Sequence, residues 1–379
     1  MRLPGTRATT LAAIGATALL AGTSLSAAAA TNDTLRSKQW GLDQVHAEQA
    51  WPTSTGSGSV IAIVDTGVDL EHPDLKANLV SGATFTGCGK GPRPCGNGDF
   101  RGPDGENNDD EHGTHVAGIA AAVTNNGVGV AGVAPNADIM PVKVLEDGSG
   151  SYGDIADGVR WAADHGADVI NLSLGALPGG QAFPITGLET DLADALAYAR
   201  AKGVLSVAAA GNSATPLCSD PAFTDDVICV AATDRNEAKT WYSELPVKPD
   251  LKAVAAPGGA GLLACDDDIW STVPSGTGSR FCGQADYDAY AGTSMATPHV
   301  AGVAGLLYAQ GRGVDNVEST LLTTSRQPVT GARGVYTPAF GYGIVDAQAA
   351  VAAPGAATTT TKGNNGGGKS STDKPRGNR

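Results

Sequence analysis

A carboxylate, an imidazole, a hydroxyl and a primary amide stand at four points of this chain where a fold could gather them. Asp65 ends the apolar run Ile61-Ala62-Ile63-Val64 and is followed closely by Gly67. In open α/β sheets ligands collect at the carboxyl ends of strands, so an acid at that place is well set for chemistry. His112 and His115 open a small-residue helical pattern, Glu111-His112-Gly113-Thr114-His115-Val116-Ala117-Gly118. Ser294 lies in Gly292-Thr293-Ser294-Met295-Ala296-Thr297-Pro298-His299, where the proline predicts a helix beginning at about Ser294 with unpartnered backbone N–H groups. Asn212 closes Val207-Ala208-Ala209-Ala210-Gly211-Asn212, and its amide can donate to a developing oxyanion. Each residue also has an ordinary use: histidine in a helix is commonly structural, serine at a helix start is a cap, and asparagine shapes turns. Together, an acid, a base, a hydroxyl and an amide donor are the parts of acyl-transfer chemistry.

The elements that must position them are legible as apolar runs bounded by turn residues. Strands are expected over Val60 to Val64, Ile139 to Leu145, Val169 to Leu172, Val204 to Ala210, Val227 to Ala232 and Ala253 to Ala256. Their continuous valine and isoleucine content is that of strands buried on both faces. Gly113 to Val123, Ile155 to His165 and Leu192 to Lys202 have helical spacing, and Gly166 and Gly203 follow two of them as stop signals. The stretch Val300 to Leu307 reads as a core helix. Strands alternating with helices predict an α/β fold with a mostly parallel central sheet and helices on both faces.

These four segments, in the order Asp, His, Asn, Ser, resemble the signatures of the subtilisin-like serine peptidases, and the resemblance runs from about Asp33 to Val351, with the secreted, thermitase-like bacterial members the nearest in pattern. That order is the one subtilisin itself defines. The resemblance implies a subtilisin-like fold and a broad-specificity secreted serine endopeptidase. Asp65 would orient His112, His112 would relay the proton, Ser294 would attack the scissile carbonyl, and Asn212 would hold the oxyanion with the Ser294 N–H. His115 matches a structural position of the motif. Gly148-Ser149-Gly150 and Ser173-Leu174-Gly175 resemble the two segments between which the family clamps a peptide as an added strand. Tyr152 and Ile155 would shape a more distant subsite. A first pocket lined by Ala209, Ala210, Gly211, Ser213 and Ser219, with no charge at its base, implies a loose preference for apolar or medium-sized side chains. Thr124-Asn125-Asn126-Gly127-Val128-Gly129-Val130 resembles the family loop that binds calcium through backbone carbonyls and an asparagine side chain. Asp33 and Asp74 match the remaining carboxylate ligands, so the expected set is Asp33, Asp74, Thr124, Asn126, Val128 and Val130, all hard oxygen donors suited to calcium. A second site over Asp99, Asp104 and Glu106 is weighed evenly against a solvated acidic loop.

Composition sets the surroundings. Arg2 and Arg7, an apolar run from about Leu11 to Ala21 and small residues ending at Ala27 to Ala30 read as a signal peptide over residues 1–30. The apolar run falls short of the roughly 20 residues that span a bilayer, so no transmembrane segment is expected. A peptidase domain is expected over residues 31–353 and a disordered basic tail over 354–379. Mature-like sequence begins so close to the cleavage region that no folding propeptide is expected. The formal charge is −14, but the basic residues of the signal and the tail mask a body that carries −20; such a body repels nucleic acid. The tail itself is either an inert extension or a weak hold on anionic cell-wall polymers. Protein or peptide substrates and a monomeric state are expected. Six cysteines in an exported chain favour disulfides, for which 15 connectivities exist; the close pairs Cys88–Cys95, Cys218–Cys229 and Cys265–Cys282 are preferred, each pinning a surface loop, over one pair left reduced or crossed.

Two other functions could use the same residues. Asp65-Thr66-Gly67 is also an aspartic-peptidase tripeptide, but that mechanism needs two such carboxylates and the chain has one copy. A non-catalytic scaffold used for binding would leave an intact Asp65, His112, Asn212 and Ser294 without purpose.

Overall fold

Seven strands lie side by side in one sheet: β1 (Val60–Asp65), β2 (Ala83–Thr84), β3 (Asp138–Lys143), β4 (Val169–Leu172), β5 (Leu205–Ala209), β6 (Val227–Thr233) and β7 (Ala253–Pro257). Their spatial order is β2-β3-β1-β4-β5-β6-β7, and every neighbouring pair is parallel. The computed structural model describes residues 31–102, 110–175, 190–261, 264–278 and 281–355. The signal peptide over 1–30, Asp104 and Glu106 of the second acidic loop, and the tail beyond residue 355 lie outside them.

Successive side chains of a strand point to opposite faces, and here both faces are apolar. Ile61 and Ile63 join a cluster with Val116 of helix α3 (His112–Ala121) and Val300 of helix α6 (Thr293–Tyr308). Ala62 and Val64 join another with Ile155 of α4 (Tyr152–Asp164) and Leu196 of α5 (Thr190–Ala201). Before these helices in the chain come the short α1 (Trp40–Gln44) and α2 (Ala47–Ala50); after them come α7 (Val314–Thr324) and α8 (Ala347–Ala352). The first cluster takes in residues from Leu35 to Val351. α4 starts where Ser151 accepts the Asp154 N–H at 3.0 Å, and it stops before Gly166 at φ 92°. The side-chain cap supplies an acceptor that the first turn lacks, and glycine takes the left-handed angle without a Cβ penalty.

The strand readings hold to within a residue or two at each end. Three strands escape the sequence reading: β2, which is two residues long, and an antiparallel pair, β8 (Ile269–Thr272) with β9 (Tyr287–Tyr290). That pair packs behind α3, where the Ser271 and Thr272 hydroxyls donate to the carbonyls of His115 and Thr114 at 2.7 Å each. The three close cysteine pairs are the disulfides. One departs from the expected role: Cys218 and Cys229 are fully buried, so their bridge ties the segment after β5 to β6 inside the core.

Candidate active site

β1 lies between β3 and β4, although the chain reaches those two strands only later, so the strand order reverses at its carboxyl end. A crevice opens at such a reversal because the following connections run to opposite faces. Asp65 is the last residue of β1 and is fully buried. Its Oδ1 accepts from the Thr66 N–H and from Nδ1 of His112, both at 2.8 Å. His112 is the first residue of α3, with 32% of its side chain exposed. Burial works against the imidazolium, but the Asp65 charge, its hydrogen bond and the charge of Asp110 outweigh it and hold the imidazole above its ordinary value. With Nδ1 fixed as the donor to a carboxylate, Nε2 is the nitrogen left to accept a proton.

Ser294 is the second residue of α6, which packs against both α3 and the ends of β4 and β5. The helix admits Pro298, whose missing N–H would leave the Ser294 carbonyl without its partner four residues on. The Ser173 hydroxyl supplies that hydrogen bond at 2.8 Å, and Asn171 donates in turn to Ser173 at 2.9 Å. Thr293 holds the next part. Its N–H and hydroxyl donate to Oδ1 of Asn212 at 2.9 and 3.0 Å. A backbone N–H can only donate, so the amide orientation is fixed and the two Nδ2 protons remain for another acceptor. Asn212 is exposed, at the N-terminal end of α6 where the helix dipole favours negative charge. Among the described residues no hydrogen bond joins His112 to Ser294, and contacts of this kind tighten in the substrate complex.

The two segments expected to clamp a peptide continue β3 and β4, the strands on either side of β1. Ser149 and Glu146 exchange backbone hydrogen bonds at 2.8 and 2.9 Å, and the Gly148 N–H donates to Asp110 at 3.0 Å. Ser149 and Gly150 are exposed, while Ser173, Leu174 and Gly175 grade from buried to exposed. Asp110 is buried and holds one of these segments beside His112. Lys143 stands opposite Asp65 in register. It is fully buried, and its Nζ donates to the carbonyls of Thr66 and Leu145 at 2.8 and 2.9 Å. His115 is a neutral structural histidine: burial and the neighbouring His112 press its pKa down to about 3.

An acidic side chain that the sequence reading does not name stands behind the expected first pocket. Ser219 is present at its foot, but the Ser219 hydroxyl donates to the carboxylate of Glu244 at 2.7 Å, and Glu244 is fully buried.

Asp33 and Asp74 meet at the loop that follows α3. The N–H groups of Asn125 and Asn126 donate to Asp33 at 3.1 and 3.3 Å, and the Asn126 amide and the Val130 N–H donate to Asp74 at 2.6 and 2.8 Å. Burial, reinforced by the charge of Asp33, pushes the Asp74 pKa up to about 6. The carbonyls of Thr124, Val128 and Val130 accept no hydrogen bond among the described residues. Two crowded carboxylates beside free carbonyl oxygens form a donor set that fits a hard cation.

A doubly wound parallel sheet with an Asp–His pair and a helix-borne serine at its switch point defines a hydrolase of the serine-peptidase class, and the chain belongs to the subtilase family, whose model matches residues 56–344. Thermitase from Thermoactinomyces vulgaris is 43% identical over 290 residues, which are 76% of this chain and 88% of that one. Subtilisin Savinase from Lederbergia lenta is 38% identical over 319 residues, or 83% and 99%. A solved structure described as proteases from Pseudoalteromonas arctica PAMC 21717 superposes with a TM-score of 0.69 at 36% identity, covering 85% of this chain and 98% of that one. The protein is therefore a serine endopeptidase that hydrolyses peptide bonds, and no helix among the described residues is long and apolar enough to cross a membrane.

Proposed function

We propose that Asp65, His112 and Ser294 form the catalytic triad and that Asn212 with the Ser294 N–H forms the oxyanion hole. The observation that carries this reading is the 2.8 Å bond between a fully buried Asp65 and Nδ1 of a part-exposed His112. Ser294 Oγ attacks the scissile carbonyl while His112 Nε2 takes its proton; the oxyanion gains Asn212 Nδ2–H and the Ser294 N–H as donors. The imidazolium then protonates the departing amine, leaving an acyl ester on Ser294 that water cleaves by the same relay. Asp65 does not change protonation. It fixes the tautomer and stabilises the positive ring.

The peptide is held between Gly148-Ser149-Gly150 and Ser173-Leu174-Gly175, with Tyr152 and Ile155 farther along. Calcium, where bound, is held by Asp33, Asp74, the Asn126 side chain and the carbonyls of Thr124, Val128 and Val130, and it neutralises the two carboxylates. This is a structural role. The chain acts as a secreted monomer, exported by residues 1–30, with residues 31–353 as the peptidase and the basic 354–379 segment as a tail with a weak attraction to anionic cell wall. Casein hydrolysis by purified protein and by Ser294→Ala tests the core of this reading. Loss of about 10⁴- to 10⁶-fold in kcat, a magnitude known from subtilisin itself, is expected; equal activity in the variant would refute it.

A further inference from the structure

Two neighbouring acids enter helix α3 and turn to different elements. Asp110 accepts the Gly148 N–H at 3.0 Å and so faces a segment expected to hold the acyl half of the peptide. Glu111 turns instead to β9, where its Oε2 accepts the hydroxyl of Tyr290, the last residue of that strand. The Tyr290 ring lies along the first turn of α3, stacked on His115 with centroids 4.4 Å apart and planes 20° apart. Burial, with the hydrogen bond and charge of Glu111, holds the phenol well above its ordinary pKa, so the hydroxyl is the donor of the pair. From Tyr290 the chain runs through Ala291, Gly292 and Thr293 into Ser294. The pair therefore joins the strand that leads to the proposed nucleophile to the residue before the proposed base.

Glu111 and Tyr290 are both part-exposed. Among the described residues Glu111 meets no lysine or arginine, and its Oε1 is left without a hydrogen-bond partner. The reaction fixes which half of the peptide passes here. His112 Nε2 returns the Ser294 proton to the departing amine, so the leaving chain starts at His112, next to Glu111. The acyl half is drawn off along the segments that continue β3 and β4. Tyr290 offers the leaving chain an aromatic wall, and Glu111 gives that wall an acidic end. An aliphatic side chain gains only the wall, and an acidic one meets like charge. A long cationic one can lay its methylenes on the ring and set its head at Oε1.

We propose that Glu111, with Tyr290 as its wall, makes this endopeptidase favour lysine or arginine as the residue directly after the scissile bond. The proposal rests on the triad reading above, which sets the direction of the leaving chain, and adds a charge preference to the broad specificity that the family resemblance implies.

The test uses two peptide series, one varying only the residue after the scissile bond and the other only the residue before it. Lysine, arginine, methionine, leucine and glutamate occupy the varied place, and the wild type, Glu111→Gln, Glu111→Lys and Ser294→Ala are compared by kcat/KM. In the first series lysine and arginine are expected to exceed methionine about threefold, the size of a part-exposed ion pair, with glutamate the poorest. Glu111→Gln keeps an acceptor for Tyr290 and should bring the lysine-to-methionine ratio to about one. Glu111→Lys should invert the order of lysine and glutamate. Neither variant should change the ranking in the second series. A wild type that cuts methionine as well as lysine in the first series overturns the proposal and leaves the serine mechanism intact. A lysine-to-methionine ratio that Glu111→Gln leaves unchanged, or a change confined to the second series, also overturns it. Failure of the triad reading shows itself separately, as peptides cut equally well by Ser294→Ala. Should the Glu111 variants not fold, the wild-type ranking decides, supported by a lysine preference that falls as salt is raised.

Discussion

Helix α3 carries an acid-bearing centre at each end, and the two use the same residue type in opposite ways. At its N-terminus Asp65 faces an imidazole, and the pair shares a proton-bearing hydrogen bond of 2.8 Å. Beyond its C-terminus Asp33 and Asp74 face each other and accept from backbone and amide N–H donors, and burial pushes the Asp74 pKa up to about 6. One carboxylate beside a titratable base can orient it and stabilise its positive form; two carboxylates without a cationic side chain form a donor set that fits a cation. The lesson is that an acid's function is set by the sign of its neighbours, not by its burial, since Asp65 and Asp74 are equally inaccessible.

The largest effect expected from breaking this contrast is at the first end. Asp65→Asn should lower kcat about 10⁴-fold with little change in KM. It should also move the acid limb of the pH–rate profile downward: the Asp65 charge is what outweighs burial and raises the His112 pKa, so removing it lets burial prevail. A variant that keeps the wild-type limb would show that Asp65 does not set the imidazole. The second end should answer to metal and not to chemistry. Chelation is expected to cost about 2 to 3 kcal/mol of stability, as for a ligand present at roughly a hundred times its dissociation constant. Asp74→Asn should remove that sensitivity, and thermal melts with and without calcium measure both. Equal melting points for the wild type in the two conditions would sink the cation reading.

The last effect builds up only gradually with pH and concerns histidines that neither end uses. His115 in α3 and His299 in α6 are buried and neutral, with pKa values pressed by burial to about 3 and about 4. The unfolded chain binds protons at these rings below about pH 6.5 while the folded chain does not, so stability should fall as pH drops from 6.5 towards 4. Each ring contributes up to about 1.4 kcal/mol per pH unit. Denaturant titrations across that window should give a shallower slope for His299→Gln, and an unchanged slope would reject the assignment.

Much of this was legible because it is local. Ile61 to Val64 and Val227 to Ala232 are apolar on both faces, which only a buried strand tolerates, and Asp65, His112, Asn212 and Ser294 stand where such elements end or begin. What escaped depends on neighbours distant in the chain. Glu244 reads as a surface acid until the fold brings Ser219, 25 residues away, against it. Lys143 looks out of place in an apolar strand until the carbonyls of Thr66 and Leu145 are found at its ammonium. The β8–β9 pair carries too little alternation to announce itself and takes its place from α3, over 150 residues earlier, through hydroxyl bonds to His115 and Thr114.

Pro298 gives the proposed nucleophile a mechanical tie to the proposed substrate track. Because the proline withholds a donor, the Ser294 carbonyl is fastened to the Ser173 hydroxyl, so the start of the proposed peptide clamp is joined by one bond to the proposed nucleophile. Engineering that widens the track at Ser173 will therefore also loosen the blade, so selectivity and turnover in this molecule are one adjustment and not two.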